Sequence, residues 1–394
     1  MEKEKEKEKR TAGLPLTVLA LGATSFFTDV ASEAVFPLLP GFLALLGAGP
    51  TFLGLLEGVA DAVSALLKYL AGARSDETGH KKGLVLFGYG LATVVRPLLA
   101  LATSPFHVLA IRATDRIGKG LRSAPRDALL AGAVDPKDSG RAFGFHRAMD
   151  HAGAVVGPFL ATALLVFGVS VRTVFALTLV PGLLAVASLF LVKEPPPAAA
   201  PPPTAAGSDA PLPARLKRLL GLLFLFALAN SSDAFLLLRA RELGTPETWL
   251  PALWLLLHLS KMWWSARGGA WSDTMPRHRL VLAGWAVYAV SYALLAAAWQ
   301  SWQVWVVLVA YGAFAGLTEP VEKAMVKDLA PAAARGRAFG LYHGLLGAAA
   351  IPAGLLTGAL WQTFGAPAAL LTGAGVAAVA AAGLVAWVRA PRPA

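Results

Sequence analysis

The chain has 394 residues, 56% hydrophobic and only 15% charged, with a formal net charge of +11. A soluble globule of this size cannot hide that much apolar surface, so the composition excludes one and points to a polytopic membrane protein. With no cysteine, disulfides, thiol catalysis and cysteine-held metals are excluded as well.

The chain opens with MEKEKEKEKR, a charge run that reads as a solvated cytoplasmic tail over residues 1–13. The apolar segment behind it is too long for a signal peptide and leads into further spans. Apolar spans lie at about 14–46, 51–71, 83–103, 106–131, 142–168 and 171–192. Next comes KEPPPAAAPPPTAAGSDAPLPARLKR, residues 193–218, with the composition of an extended linker whose last residues start the next helix. Six more spans lie at about 215–243, 248–268, 280–300, 302–329, 338–363 and 365–388. The expected fold is all-α and polytopic, with twelve transmembrane helices in two pseudo-symmetric six-helix bundles around a central cavity. The bundles cover 14–192 and 215–394, and the linker between them covers 193–214. Several spans exceed the ~20 residues a bilayer needs, which predicts tilt or extension.

The tail and the segments 74–82, 137–141, 193–218, 267–279, 327–337 and 389–392 hold 22 of the 35 Lys and Arg. The positive-inside rule therefore places both termini and the linker in the cytoplasm, most naturally of a cell inner membrane. The halves also repeat. SGRAFGFHRAMDHAGAVVG at 139–157 aligns with RGRAFGLYHGLLGAAAIPA at 335–353, and GARSDETGHKK at 72–82 with GAWSDTMPRHR at 269–279. Two six-helix halves that both start inside are parallel repeats, with a binding cavity between them.

GARSDETGHKK offers Gly72, Asp76, Gly79, Lys81 and Lys82 in the pattern G-x-x-x-D-R/K-x-G-R-R/K, with Glu77 at a position that is usually basic. GFHRAMDHAGAVVGP carries Gly144, Gly153, Gly157 and Pro158, and Arg112 precedes Gly118 in the fourth span. On these motifs the chain resembles, over essentially its full length, the major facilitator superfamily. The second motif resembles the antiporter signature of the drug/proton branch, with Ala161-Thr162 in place of its final Gly pair. The resemblance implies a cytoplasmic loop or gate role for Gly72, Asp76, Gly79, Lys81 and Lys82. It also implies a fourth-span arginine, Arg112, of the kind found in proton-coupled members.

The intramembrane charges carry the chemistry, because an ionisable group at mid-bilayer is costly unless it meets a cavity or a partner. At 100° per residue, Arg112, Asp115, Arg116, Lys119, Arg122, Arg126 and Asp127 fall within about 140° of one helix. This predicts one inward polar wall. Glu57, Asp61, Ser64 and Lys68 repeat the pattern on the second span. The spans hold ten candidate bases and ten candidate acids, which predicts extensive pairing.

Asp29 and Glu33 lie one turn apart, and their like charges favour reversible protonation of one of them. Prolines at 37 and 40 allow a bend nearby. A partly buried cavity is expected to let Asp150 and His151 exchange protons, so Asp29, Glu33, Asp150, His151 and Arg112 are the proton-coupling candidates. Asp61, Asp115, Arg116, Lys119, Arg122, Arg147, Asn230, Asp233, Trp254, His258, Lys261, Tyr311 and Glu319 are the substrate-cavity candidates. Arg126, Asp127 and Arg141 fall at the cytoplasmic end, where gate pairs belong.

The leading expectation is a secondary transporter that exports a small organic molecule in exchange for protons, acting as a monomer in the bilayer. Symport or uniport of an anionic metabolite, or of a metal or chelate, is the alternative. No cofactor, resident metal or nucleic-acid partner is expected. The loops carry no phosphate loop, paired-His metal motif or serine elbow, which argues against a membrane enzyme or an ATP-driven pump.

Overall fold

The computed structural model describes residues 14–78, 81–134, 139–193, 212–331 and 335–390. The charged tail, Gly79 and nearly all of the linker lie outside the described residues. Within them the chain is helical throughout. Helix α1 (Leu16–Val35) runs through a 3-10 turn, Phe36–Leu38, into α2 (Leu39–Leu45). Pro37 and Pro40 remove two amide donors there, so the expected bend is a tightened turn. Then come α3 (Pro50–Thr78) and α4 (Lys81–Val95), which tightens into a 3-10 segment at Arg96–Leu101 beside Pro97. The Ser104 side chain caps α5 (Pro105–Gly132), and α6 is Ser139–Val166. The sixth span is split into α7 (Val171–Leu177) and α8 (Leu179–Phe190), because Pro181 cannot donate to Leu177.

The second half opens with a span that is also broken. Helix α9 (Ala214–Ala229) ends at Asn230 and α10 (Ala234–Glu242) resumes four residues later. The apolar run predicts one continuous helix here, and polar Asn230, Ser231, Ser232 and Asp233 interrupt it. The chain continues through α11 (Leu250–Thr274), α12 (Arg277–Ala297), α13 (Ser301–Leu329), α14 (Arg335–Phe364) and α15 (Ala366–Arg389).

Among the described residues, ten helical spans are long and apolar enough to cross a membrane. The two others are α5 and α11, and both are long enough. Helix α5 carries the seven charged groups, and α11 carries Lys261, Arg267 and Asp273. Their low apolarity is the mark of helices that spend one face on polar neighbours.

The twofold repeat is legible in backbone geometry. Glycines with positive φ occur at Gly47 (81°), Gly168 (82°), Gly244 (91°) and Gly365 (84°). Gly244 and Gly365 stand 197 residues after Gly47 and Gly168. All four sit in inter-helix loops at one end of the molecule, where the left-handed conformation suits glycine.

Helix seams repeat too. A Cβ on Gly88 of α4 would strike the Gly118 carbonyl and the Arg122 side chain of α5. Gly284 of α12, 196 residues later, would strike Thr318 of α13. Gly120 meets Leu67 in the first half and Gly316 meets Trp264 in the second. Small residues let backbones close up where lipid offers no hydrophobic drive for association.

The bundles meet mainly through α3 and α14. Gly54 and Gly354 touch backbone to backbone, Gly58 lies on Ala350 and Ile351, and Gly358 lies on Pro50 and Thr51. This glycine seam seals the end bearing the loops at 46–49 and 243–249. Among the described residues, the hydrogen bonds that join the bundles also lie toward this closed end, with Thr51 N donating to Gln362 at 3.3 Å. The opposite, basic end carries the Lys- and Arg-rich loops.

The α4–α5 seam is testable. Gly118→Val should cost about 1–3 kcal/mol of overpacking, read as a lowered melting temperature. Gly221→Val, where a side chain meets open space, should leave it nearly unchanged.

Candidate functional site

The expected wall of α5 divides in two. Asp115 and Arg122 turn away from the centre into the seam with α4. Arg96 donates from Nη2 to Asp115 at 2.7 Å, with both side chains about 5% exposed. Arg122 donates to the Gly88 carbonyl at 3.3 Å and lies over the Tyr89 ring, 4.2 Å from its centroid. Arg112 makes a two-pronged contact with Glu57 of α3 at 3.3 and 3.4 Å, and lies 4.0 Å from Asp115. Arg96, Asp115, Arg112 and Glu57 thus form one buried chain of alternating charge that ties α3, α4 and α5. Ser232, in the α9–α10 break, donates to the same Glu57 Oε2 that Arg112 Nη2 contacts, at 3.5 Å, so the chain ends on the opposite bundle. Arg116 is half-buried, Lys119 is exposed, and Asp61 and Lys68 on α3 are exposed. Arg116 and Lys119 are the main cations acting on Asp61. Arg126 pairs with its neighbour Asp127 at 2.8 Å.

A second cluster lies in the α1–α6 seam. Gly153 would strike the Phe26 carbonyl and the Asp29 side chain if it carried a Cβ, and Gly157 would strike Val30. The antiporter-like glycines therefore bring the backbone of α6 against α1, with Pro158 in the same helix. Gly144 lies in α6, but its surroundings fall outside the described residues. The seam holds Asp29 close to Asp150. The Ser25 hydroxyl donates to Asp150, and His146 and Arg147 approach it at 3.6 and 3.9 Å. Asp29 has no ion-pair partner among the described residues, and the acids acting on it are Asp150 and Glu33. His151 is half-buried beside Asp150.

Glu33, one turn along α1, belongs to a different group. It accepts from Trp254 Nε1 at 2.8 Å and lies 3.7 Å from His258 Nε2, both on α11 of the other bundle. Trp254 packs against Phe36, centroids 4.6 Å apart, and against the His258 ring. Asp29 and Glu33 are thus separated: one stays within its bundle and the other bridges the two.

In the second half, Lys261 donates to Asp233 at 2.5 Å and the Tyr311 hydroxyl donates to the same carboxylate at 2.9 Å. The break in the seventh span frees the Ala229 carbonyl, which accepts from Tyr288 at 2.6 Å. Asn230 caps α9 at this break and is half-buried. Glu319 and Lys323 are exposed on α13 without an ion pair between them.

Of the loop residues, Lys82 donates to the Val192 carbonyl at 2.6 Å. The surroundings of Gly72, Asp76 and Arg141 fall outside the described residues. Two clefts, about 380 and 460 Å³, open at the closed end beside Phe52 and Phe106 and beside Trp249 and Trp302, away from the charged wall.

The structure adds Glu57, Arg96, Tyr89, Ser25, Phe36 and Ser232 to the site residues expected from sequence. Glu57 already lies on the polar face of the second span, and Ser25 stands one helical turn before Asp29. Arg96 counts among the charged residues inside the spans, but its partner, like that of Ser232, comes from another span and carries no local signal.

Helical pairs bridging two bundles, with polar groups inside, are the geometry of a carrier. The sequence profile of the Major Facilitator Superfamily matches residues 21–266 and 265–394. The chain belongs to this superfamily. It is 31% identical over 356 residues to the uncharacterized MFS-type transporter MJ1317 of Methanocaldococcus jannaschii, covering 89% of each chain. It is 26% identical over 333 residues to the multi-drug resistance efflux pump PmrA of Streptococcus pneumoniae, covering 80% of this chain and 82% of the pump. The fold matches that of the nucleoside transporter NupG with TM-score 0.78 at 13% identity, over 95% of this chain and 100% of that one. As a superfamily member, the protein is a multi-pass transporter of the membrane.

Two outcomes test the geometry. Asp115→Asn leaves Arg96 buried without its acid and should cost about 3–5 kcal/mol, with Arg96→Gln added on top restoring part of it in a double-mutant cycle. Trp254→Phe keeps an aromatic ring but removes the donor to Glu33, a loss of about 1.5 kcal/mol or more. With Thr51→Cys and Gln362→Cys in the cysteine-free chain, roughly tenfold less of the closed-end arrangement should then be captured by cross-linking.

Proposed function

We propose that the protein is a secondary transporter that exports a small organic molecule across the cytoplasmic membrane in exchange for protons. The reading is of transport, not catalysis. It takes both termini and the basic end as cytoplasmic. The sealed glycine seam then faces outward, and the cavity between the bundles is open toward the cytoplasm, where an exporter loads its cargo. Rocking of the bundles exposes the same site to each side in turn.

The observation that carries the coupling is the acid pair Asp29 and Asp150 in the α1–α6 seam. Asp29 has no cation bound to it among the described residues, while Asp150 is held by Ser25, His146 and Arg147. An acid with no fixed counter-ion is free to take up and release a proton as access alternates. Glu33 supports the same reading from another direction, because its carboxylate holds the two bundles together through Trp254. The likeness to a multi-drug efflux pump favours export. Of the cavity candidates, Asp61, Arg116, Lys119, Asp233, Lys261 and Tyr311 are the side chains proposed to meet cargo.

A second reading, symport or uniport of an anionic metabolite, is favoured by one observation. Lys68, Arg116 and Lys119 stand on the cavity wall without ion-pair partners among the described residues.

Reconstituted vesicles with a pH-sensitive dye inside test the coupling. Addition of a matched panel of cationic, neutral and anionic amphiphiles should release protons for at least one compound. Asp29→Asn should abolish the proton signal by tenfold or more while exchange of labelled compound across equal pH continues. Transport that persists undiminished after pH gradient and potential are both collapsed sinks the antiport reading.

A further inference from the structure

Once the fixed ion pairs are set aside, the wall built by α3 and α5 keeps a surplus of positive charge. Glu57 and Asp115 are taken by Arg112 and Arg96. What remains is Lys68, Arg116 and Lys119 against one acid, Asp61. Lys68 and Lys119 are exposed, and neither ammonium makes a hydrogen bond or ion pair among the described residues. Arg116 is half-buried, and its Nε is buried without any hydrogen-bond partner. A buried guanidinium donor left unpaired is costly, so a site that retains one points to a partner absent from the chain itself.

The three cations converge. Gly120 presses on Leu67 and on the Ser64 carbonyl, bringing the turn with Arg116 and Lys119 against the turn with Lys68. Arg116 acts electrostatically on both lysines. From the neighbouring elements, Asp29 and Glu33 on α1 also act on Lys119. From the other bundle, Lys323 on α13 acts on Lys68, and both lysines act on His343 of α14. The two bundles therefore present positive charge to each other across the cavity, and closure of the basic end drives these groups together.

We propose that Lys68, Arg116 and Lys119 form a seat for an anionic group, a carboxylate or a phosphate, on the transported molecule. The anion satisfies Arg116 Nε and cancels the repulsion between the α3–α5 wall and Lys323. It binds more tightly in the closed arrangement than in the open one, and a ligand drives a conformational change only through such a difference. A guanidinium with two flexible ammonium groups suits a planar or tetrahedral oxyanion better than a cation or an uncharged ring. The seat rests on the reading of the chain as a carrier of a small organic molecule, but not on the direction of transport or on protons.

The test uses the full chain in nanodiscs of phosphatidylcholine, which supply no anionic headgroup. Its melting temperature is followed by tryptophan fluorescence in citrate, inorganic phosphate or chloride at equal ionic strength. Citrate or phosphate should raise it by several degrees over chloride, as selective binding to the folded state requires. A larger shift with citrate assigns the carboxylate, and a larger one with phosphate assigns the phosphate. The double variant Lys68→Gln, Lys119→Gln should lose the difference, and Lys119→Arg should keep it. Neither lysine holds the fold together, so the melting temperature in chloride reports that the variant is folded. If the double variant does not fold, Lys119→Gln alone should show at least a halved shift. Equal shifts in all three salts, or an undiminished anion effect in the glutamine variants, overturn the proposal. An intact anion effect with no proton release in the vesicle assay sinks the antiport reading and leaves the seat standing. The reverse pattern sinks the seat alone.

Discussion

The cost of an unpaired charge away from water organises this protein. Most of the ionic groups described on α3, α4 and α5 are either matched to a partner from another helix or left facing the space between the bundles. Arg96, Asp115, Arg112 and Glu57 meet the first condition and are buried. Such a network adds little net stability compared with apolar packing, yet it strongly disfavours any register that leaves one member alone. It therefore fixes α3, α4 and α5 relative to one another. The faces of α3 and α5 that remain are then held in place for Asp61, Lys68, Arg116 and Lys119.

The halves share a backbone plan and differ in chemistry. Positive-φ glycines and helix-seam glycines recur at the repeat distance, but the charges do not. Where α5 packs Arg122 against Gly88, α13 packs Thr318 against Gly284. In place of an ion network the second bundle has an aromatic core, with Phe226 stacked on Trp285 and Tyr288 on Tyr292. One bundle holds most of the ionic groups, and the other offers a stiff aromatic body with a single polar break at Asn230–Asp233. Glu33 joins the two through its hydrogen bond from Trp254.

Much of this was legible in the residues. Span positions follow from apolar length, the repeat from aligned motifs, and the presence of an inward polar face on α5 from helical phase. Phase alone did not say which members of that face would be buried. Asp115 and Arg122 differ from Lys119 by only about 40° and 60° around the helix, and only the position of α4 decides that they pair inside the bundle. The separation of Asp29 from Glu33 has the same origin. They are one turn apart on one helix, but α6 covers the first and α11 meets the second. The break after Ala229 was hidden because its neighbours are strongly apolar, and a run of four polar residues is too short to outweigh them in any window average.

The two helices that fall short of membrane apolarity have a consequence for how the chain is made. A segment bearing seven charged groups is not held in hydrocarbon by its own composition. Helix α5 becomes a stable span only when Glu57 on α3 and Arg96 after α4 are at hand, and both precede it in the chain. Lys261 on α11 likewise finds Asp233, which is synthesised before it. During biogenesis each reluctant helix thus arrives after its counter-charges. The order of residues along the chain serves as an assembly schedule, in which earlier spans make the bilayer hospitable to later ones.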